Sequence, residues 1–177
     1  MRLQIQDFRD CDQTLRYDVV KVLYAQWDKS YEKYARIYSE DDLMKFLDKQ
    51  VIVFVFTLAK NQDQVPDKIE YPNKATAKTQ TLVATLTISN DSNQPVLAGK
   101  TYWISNLFVT EDYRNFGVGS GILKYAEEHI AGSGIQYVAL TVENDNNRLW
   151  DYYKKRGYKQ VGFYPISGNP IFLKIVG

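Results

Sequence analysis

The chain has 177 residues, 45% hydrophobic and 24% charged, enough for one well-buried domain over 1–177 and too short to divide comfortably into two. With 22 basic and 21 acidic residues the net charge is +1, so no field gathers nucleic acid or anionic lipid by charge alone, and neither partner is expected. One cysteine, Cys11, and one histidine, His129, exclude an internal disulfide framework and leave a cysteine-based metal site without ligands. No metal is expected. The opening M-R-L-Q-I-Q-D-F-R-D has acids where a signal peptide needs an apolar stretch. The longest apolar run, V-I-V-F-V-F-T-L-A, is far too short to span a bilayer. These features lead to the expectation of a soluble, cytoplasmic protein.

Residues 2–8 alternate apolar and polar, the period of a half-exposed strand. A helix follows, capped by Asp12, with Leu15, Val19, Val22, Leu23 and Gln26 or Trp27 on one face and an end near Asp28. A tyrosine-rich connection leads to a short second helix, where Ser39 and Asp42 form a capping arrangement and Leu43, Phe46 and Leu47 face inward. Residues 51–59 and 81–89 read as partner strands. Between them 61–80, polar with two prolines, is expected to be an exposed ornamental loop. After a shorter loop at 90–99 come a strand at 100–109, a helix from Gly117 to about Ala131, a strand at 136–143, a helix at 146–156, and strands at 160–164 and 170–176. This order predicts a three-layer mixed α/β (α+β) plan around one central sheet.

The stretch Y-R-N-F-G-V-G-S-G-I-L-K, Tyr113 to Lys124, stands between an apolar strand and the third helix. Val118, Ile122, Ala126 and Ile130 recur every fourth residue, so the glycines feed a true amphipathic helix start. Free N–H groups and the positive dipole end of such a start attract anions, and glycine lets a phosphate approach closely. The alternative is that Gly117 and Gly119 merely permit a tight turn. The spacing fits neither a P-loop, which needs Lys followed by Ser or Thr, nor the dinucleotide fingerprint with its third glycine.

At these residues the sequence resembles the GNAT superfamily of acetyl-CoA-dependent N-acetyltransferases. The family pattern of Arg or Gln, two residues, Gly, one residue, Gly or Ala is matched by Arg114, Gly117 and Gly119. A second segment, N-D-N-N-R-L-W-D-Y-Y-K-K-R-G-Y, resembles the family's Asn, helix, Tyr, polar residues, Gly and aromatic, with Asn146, Tyr153, Gly157 and Tyr158 in the matching places. The resemblance implies a central mixed, mostly antiparallel sheet of about seven strands with helices on both faces, and acetyl-CoA as co-substrate. It implies that backbone amides of Asn115, Phe116, Gly117, Val118, Gly119 and Ser120 cradle the pyrophosphate, with Arg114 adding a charged fork. The strand ending Asn106, Leu107, Phe108, Val109 would splay from 138–142, so that the pantetheine arm bonds to Leu107, Phe108 and Val109 like an extra strand. Asn146 either bonds coenzyme A or caps its helix.

The reaction implied is transfer of acetyl to a primary amine of a small molecule or protein by direct attack in a ternary complex. It needs a neutral amine, hydrogen bonds to the developing oxyanion and an acid for the thiolate. Tyr153 holds the place of the family tyrosine that reaches the thioester sulfur; packing of a helix face is the alternative, and Tyr152 is its neighbour. The stretch from Tyr102 to Lys124 is also similar to diamine acetyltransferases, but those have two adjacent acids where this chain has Ser105 and Asn106. Deprotonation is then expected through water ordered by Ser105 and Asn106, or both residues simply satisfy a splayed strand. Trp27, Asp28 and Tyr31, with Tyr34 and Tyr38, are candidates for an aromatic acceptor wall with an acid for a cationic amine. His129 is expected at the surface. A catalytically silent GNAT domain, binding coenzyme A as a sensor or assembly module, is the competing reading, and a homodimer is left open.

Overall fold

A computed structural model describes residues 3–26, 39–59, 80–90, 101–165 and 167–177. Seven strands form one mixed sheet in the order β1-β2-β3-β4-β5-β7-β6, with β1 Gln4–Asp7, β2 Ile52–Ala59, β3 Gln80–Ser89, β4 Thr101–Val109, β5 Tyr137–Thr141, β6 Lys159–Phe163 and β7 Pro170–Ile175. Among the described residues the α-helices are α1 Gln13–Gln26, α2 Glu40–Asp48, α3 Val118–Gly132 and α4 Asn147–Lys154. The expected fold class is the one observed. The chain clusters into two compact units, Met1–Thr87 with Asn106–Leu123, and Ile88–Ser105 with Lys124–Gly177. No described helix is long and apolar enough to cross a membrane.

In the first unit β1 and β2 pair antiparallel from Gln4↔Thr57 to Asp7↔Phe54. The helix starts follow local chemistry. The Asp12 carboxylate accepts from Leu15 N–H at 2.9 Å, and Ser39 Oγ accepts from Asp42 N–H at 3.1 Å while donating to that carboxylate at 2.9 Å. Leu15, Val19, Val20 and Leu23 of α1 and Leu43 and Leu47 of α2 pack with Phe8, Cys11, Val53 and Val55. Val20, rather than the expected Val22, completes the α1 stripe, and Gln26 is exposed. The buried set 15, 19, 20, 23 is a wider apolar arc than spacing by fours and threes from Leu15 alone would draw. Arg16 ties α1 to α2 through both Asp48 oxygens at 2.7 Å, and its guanidinium lies 4.7 Å from the Phe8 ring centroid.

In the second unit β4 and β5 run parallel over Thr101↔Tyr137, Tyr102↔Val138 and Trp103↔Ala139. β5 and β7 pair antiparallel through five positions, and β6 joins β7 antiparallel with an irregularity between Gln160 and Gly162. The two faces of β7 serve different neighbours. Phe172 meets the Trp150 ring of α4 at 6.1 Å and Lys174 meets Glu127 of α3, while Ile171 and Leu173 pack with Trp103 and Ala139. On α3 the expected stripe of Val118, Ile122, Ala126 and Ile130 is buried, and His129 is exposed.

Cys11 yields a pH prediction. Burial, aided by the charges of Asp12 and Asp7, pushes its thiol up to about 12 from 9.0. The folded chain therefore keeps a proton that the unfolded chain releases, so the stabilisation is present below about pH 9 and is lost as pH climbs toward the folded value. Melting temperature should fall as pH rises from about 9 to 11, and less steeply in Cys11→Ala. Equal slopes in the two proteins would contradict this assignment.

Candidate active site

The loop between β4 and α3 is built by backbone conformation. Thr110 anchors its start, with N–H and Oγ1 both donating to the Val83 carbonyl at 2.9 and 3.0 Å. A 3-10 turn at Glu111–Tyr113 follows. Asn115 and Gly117 then adopt left-handed φ values of 66° and 78°, the type of conformation from which anion-binding concavities of N–H groups are made. The first α3 bond runs from Gly121 N–H to the Gly117 carbonyl at 3.0 Å, so the first-turn N–H groups of Val118 and Gly119 face out of the helix end. Residues 114–117 are exposed.

The two glycines do different work. A Cβ on Gly117 would meet nothing within 4 Å, so its positive φ selects glycine and the space beside it stays open to a ligand. At Gly119 a Cβ would lie 3.6 Å from Val109 Cγ2, an ordinary contact, which makes this the close approach of helix to strand. Arg114, expected to reach a phosphate, donates from Nε to the Val109 carbonyl at 2.9 Å, and its guanidinium lies 5.7 Å from the Phe108 centroid. It braces the loop on the strand end. Leu107, Phe108 and Val109 are half-buried, with Phe108 packed against the first unit's core.

Asn106 has φ 50°, a left-handed residue inside a strand. Its carbonyl accepts from Thr85 Oγ1 at 3.0 Å and its amide donates to Thr87 Oγ1 at 3.1 Å. Both threonines are buried, so the irregular backbone is held by two hydroxyls with no access to water. Sequence reading missed Thr85 and Thr87 because alternating threonines in an apolar run look like plain strand formers. Ser105, next in line, is exposed.

Downstream, Asn146 is the α4 cap: its side-chain oxygen accepts from Leu149 N–H at 3.1 Å. Tyr153 is 8% exposed, stands edge-on to Tyr152 at 5.1 Å and to Tyr158 at 5.5 Å, and its hydroxyl bonds to no described residue. Burial, with a smaller contribution from Tyr152, pushes its phenol above the ordinary tyrosine range. Tyr152 is distinguished by the Arg156 guanidinium 3.5 Å over its ring. Trp27, Asp28, Tyr31, Tyr34 and Tyr38 lie outside the described residues. Among the described residues no group of His, Cys, Asp or Glu is placed to hold a metal.

The sequence profile of the acetyltransferase (GNAT) family matches residues 27–158. The Bacillus subtilis (strain 168) uncharacterized N-acetyltransferase YitI is 30% identical over 82 residues, covering 46% of this chain and 53% of that protein. The match thus spans about half the relative's length. Among solved structures, the PaiA N-acetyltransferase of Thermoplasma acidophilum in complex with coenzyme A is 16% identical with a TM-score of 0.61 over 99% of both chains. A GNAT-family acetyltransferase of Staphylococcus aureus is 12% identical with a TM-score of 0.62 over 99% of both. An acetyltransferase of Streptococcus agalactiae is 12% identical with a TM-score of 0.64 over 98% of both. At these identities the likeness is one of fold.

The glycine geometry predicts opposite outcomes for two small substitutions. Gly117→Ala forces a side chain into the left-handed region and should destabilise by roughly 1 kcal/mol or more. Gly119→Ala, at an ordinary contact inside a helix, should leave the melting temperature unchanged or raise it slightly. Thermal melts of the two variants side by side check this; equal effects would remove the distinction.

Proposed function

The chain belongs to the acetyltransferase (GNAT) family, and from that premise we propose that it moves the acetyl group of acetyl-CoA to a primary amine of a small molecule or protein. The observation that carries the reading is the loop itself. Exposed left-handed backbone at Asn115 and Gly117 opens straight onto the N-terminus of the 15-residue α3, the kind of helix start that favours phosphate groups. The residues fit the group: amides from Asn115 to Ser120 hold the pyrophosphate, and the open space at Gly117 admits it. The backbone of Leu107, Phe108 and Val109 takes the pantetheine amides. Arg114 keeps strand and loop together through Val109 and supplies background charge.

Acetyl-CoA supplies an acyl carbon already activated as a thioester. In the transfer a C–N bond forms, the C–S bond breaks, the amine loses a proton and the sulfur gains one. We assign Tyr153 to the sulfur. Because burial raises its phenol, the hydroxyl stays protonated across the working range and stabilises the developing thiolate as a hydrogen-bond donor. On the amine side, the exposed Ser105 hydroxyl orders the water that takes the proton, while the Asn106 amide is committed to Thr87. Trp27, Asp28 and Tyr31 are assigned to the acceptor wall on sequence grounds.

Two outcomes are expected. Acetyl-CoA at a hundredfold excess over its dissociation constant should stabilise the fold by about 2.7 kcal/mol, seen as a clear thermal shift; no shift at millimolar acetyl-CoA would remove the family's chemistry from this chain. Tyr153→Phe keeps the ring and should cut turnover by roughly a hundredfold with little change in acetyl-CoA affinity or melting temperature. Steady-state turnover on one accepted amine decides it, with Tyr152→Phe as the comparison. The direction of the Tyr153 shift adds that no alkaline fall in turnover should come from this group through the ordinary tyrosine range.

A further inference from the structure

Four side chains of the second unit make one line of contacts. Glu127 of α3 accepts from Tyr158 Oη on Oε1 at 2.8 Å and from Lys174 Nζ of β7 on Oε2 at 2.6 Å. The Lys174 ammonium also stands 5.6 Å from the Tyr158 ring centroid. Tyr158 then meets Tyr153 edge-on at 5.5 Å and 73°. The polar members are poorly solvated: side-chain exposure is 12% at Glu127 and 26% at Lys174, and Tyr158 is 2% exposed.

Such a cluster is a costly way to gain stability. Two charges withdrawn from water recover their desolvation only with good geometry, and apolar side chains of similar volume often serve as well or better. What a fully partnered carboxylate adds is direction: with both oxygens used, Glu127 fixes where the Tyr158 hydroxyl points and hence how its ring lies. The backbone carries that restraint to Tyr153. Gly157 has φ 87°, its N–H donates to the Lys154 carbonyl at 3.0 Å, and Tyr158 N–H donates to the Tyr153 carbonyl at 3.2 Å. This is the Schellman closure, in which the residue after the glycine packs on the residue five before it. Tyr152 also meets the Tyr153 ring edge-on, at 5.1 Å.

We propose that Glu127 and Lys174 act through Tyr158 as positioning residues, holding the Tyr153 ring in one orientation for its work at the departing sulfur. The inference rests on the assignment of Tyr153 made above. Tyr158→Phe removes the tether and leaves the ring, so kcat should fall about tenfold while KM for acetyl-CoA stays within about twofold. Glu127→Leu should match it. Glu127→Gln, which still accepts from Tyr158, should lose less than about threefold.

A double-substitution cycle separates positioning from general support. In the Tyr153→Phe background, adding Tyr158→Phe or Glu127→Leu should change turnover by less than about twofold, because no phenol remains to be aimed. Losses that multiply in the double variants, or full turnover in both Tyr158→Phe and Glu127→Leu, would overturn the inference. Wild-type turnover in Tyr153→Phe alone would overturn the Tyr153 assignment itself, and the positioning role with it. Glu127→Gln and Glu127→Leu carry the same test should Tyr158→Phe fold poorly, and melting temperatures identify variants whose loss is only of stability.

Discussion

The parallel step between β4 and β5 sets the constraint on which the candidate site depends. β1 with β2, β5 with β7 and β6 with β7 pair antiparallel, whereas β4 and β5 run the same way. Antiparallel neighbours can be joined by a tight turn; parallel neighbours need a crossover of about a dozen residues or more. Here the crossover is the glycine loop and α3. β4 ends at Val109 and α3 begins at Val118, so the chain passes from strand into helix over the loop 110–117. The left-handed backbone at Asn115 and Gly117 accomplishes that turn, and the same conformation exposes N–H groups. The residues that make the turn are the ones whose conformation leaves N–H groups exposed, so a structural explanation of Asn115 and Gly117 is compatible with the anion-binding role proposed for them.

The shortness of the parallel ladder matters as much as its direction. Pairing stops at Trp103↔Ala139 although β4 continues to Val109. Three residues after that last pair Asn106 turns left-handed, held by Thr85 and Thr87. A strand that merely frayed would leave its polar groups to water; at Asn106 they are met by buried hydroxyls. Asn106, Thr85 and Thr87 thus spend their hydrogen bonds on strand shape, and this explains why an amide where the resemblance to diamine acetyltransferases places an acid is no accident of local polarity.

Much of this was legible in the sequence, and what was not shares a cause. The α3 stripe and the caps at Asp12, Ser39 and Asn146 are written in residues that follow one another within three or four positions, so periodicity and cap chemistry reveal them, and the glycine turn at Gly157 was legible through the family resemblance. The braces on Asn106 join residues 19 and 21 positions apart, and the Glu127 contacts join residues 31 and 47 apart. No local pattern announces such pairs. The choice of Val20 over Val22 in α1 was likewise settled by the neighbours that the helix meets, Phe8 and the β2 valines among them.

The pattern of likeness to other proteins follows from the same physics. Solved structures 12 to 16% identical share the fold over nearly their whole length. A fold shared at that distance needs only what topology and period enforce, such as apolar stripes and a helix start behind a strand, and these fix few side chains. Recognition through backbone N–H groups and strand edges asks little of side-chain identity beyond glycine where φ is positive. Proton handling asks more, because a phenol or hydroxyl must be aimed. If Tyr153 acts as proposed, its orientation depends on residues such as Tyr158 and Glu127, which lie far from the glycine loop and from the end of β4 in sequence, so the individuality of this chain is expected in those supporting contacts.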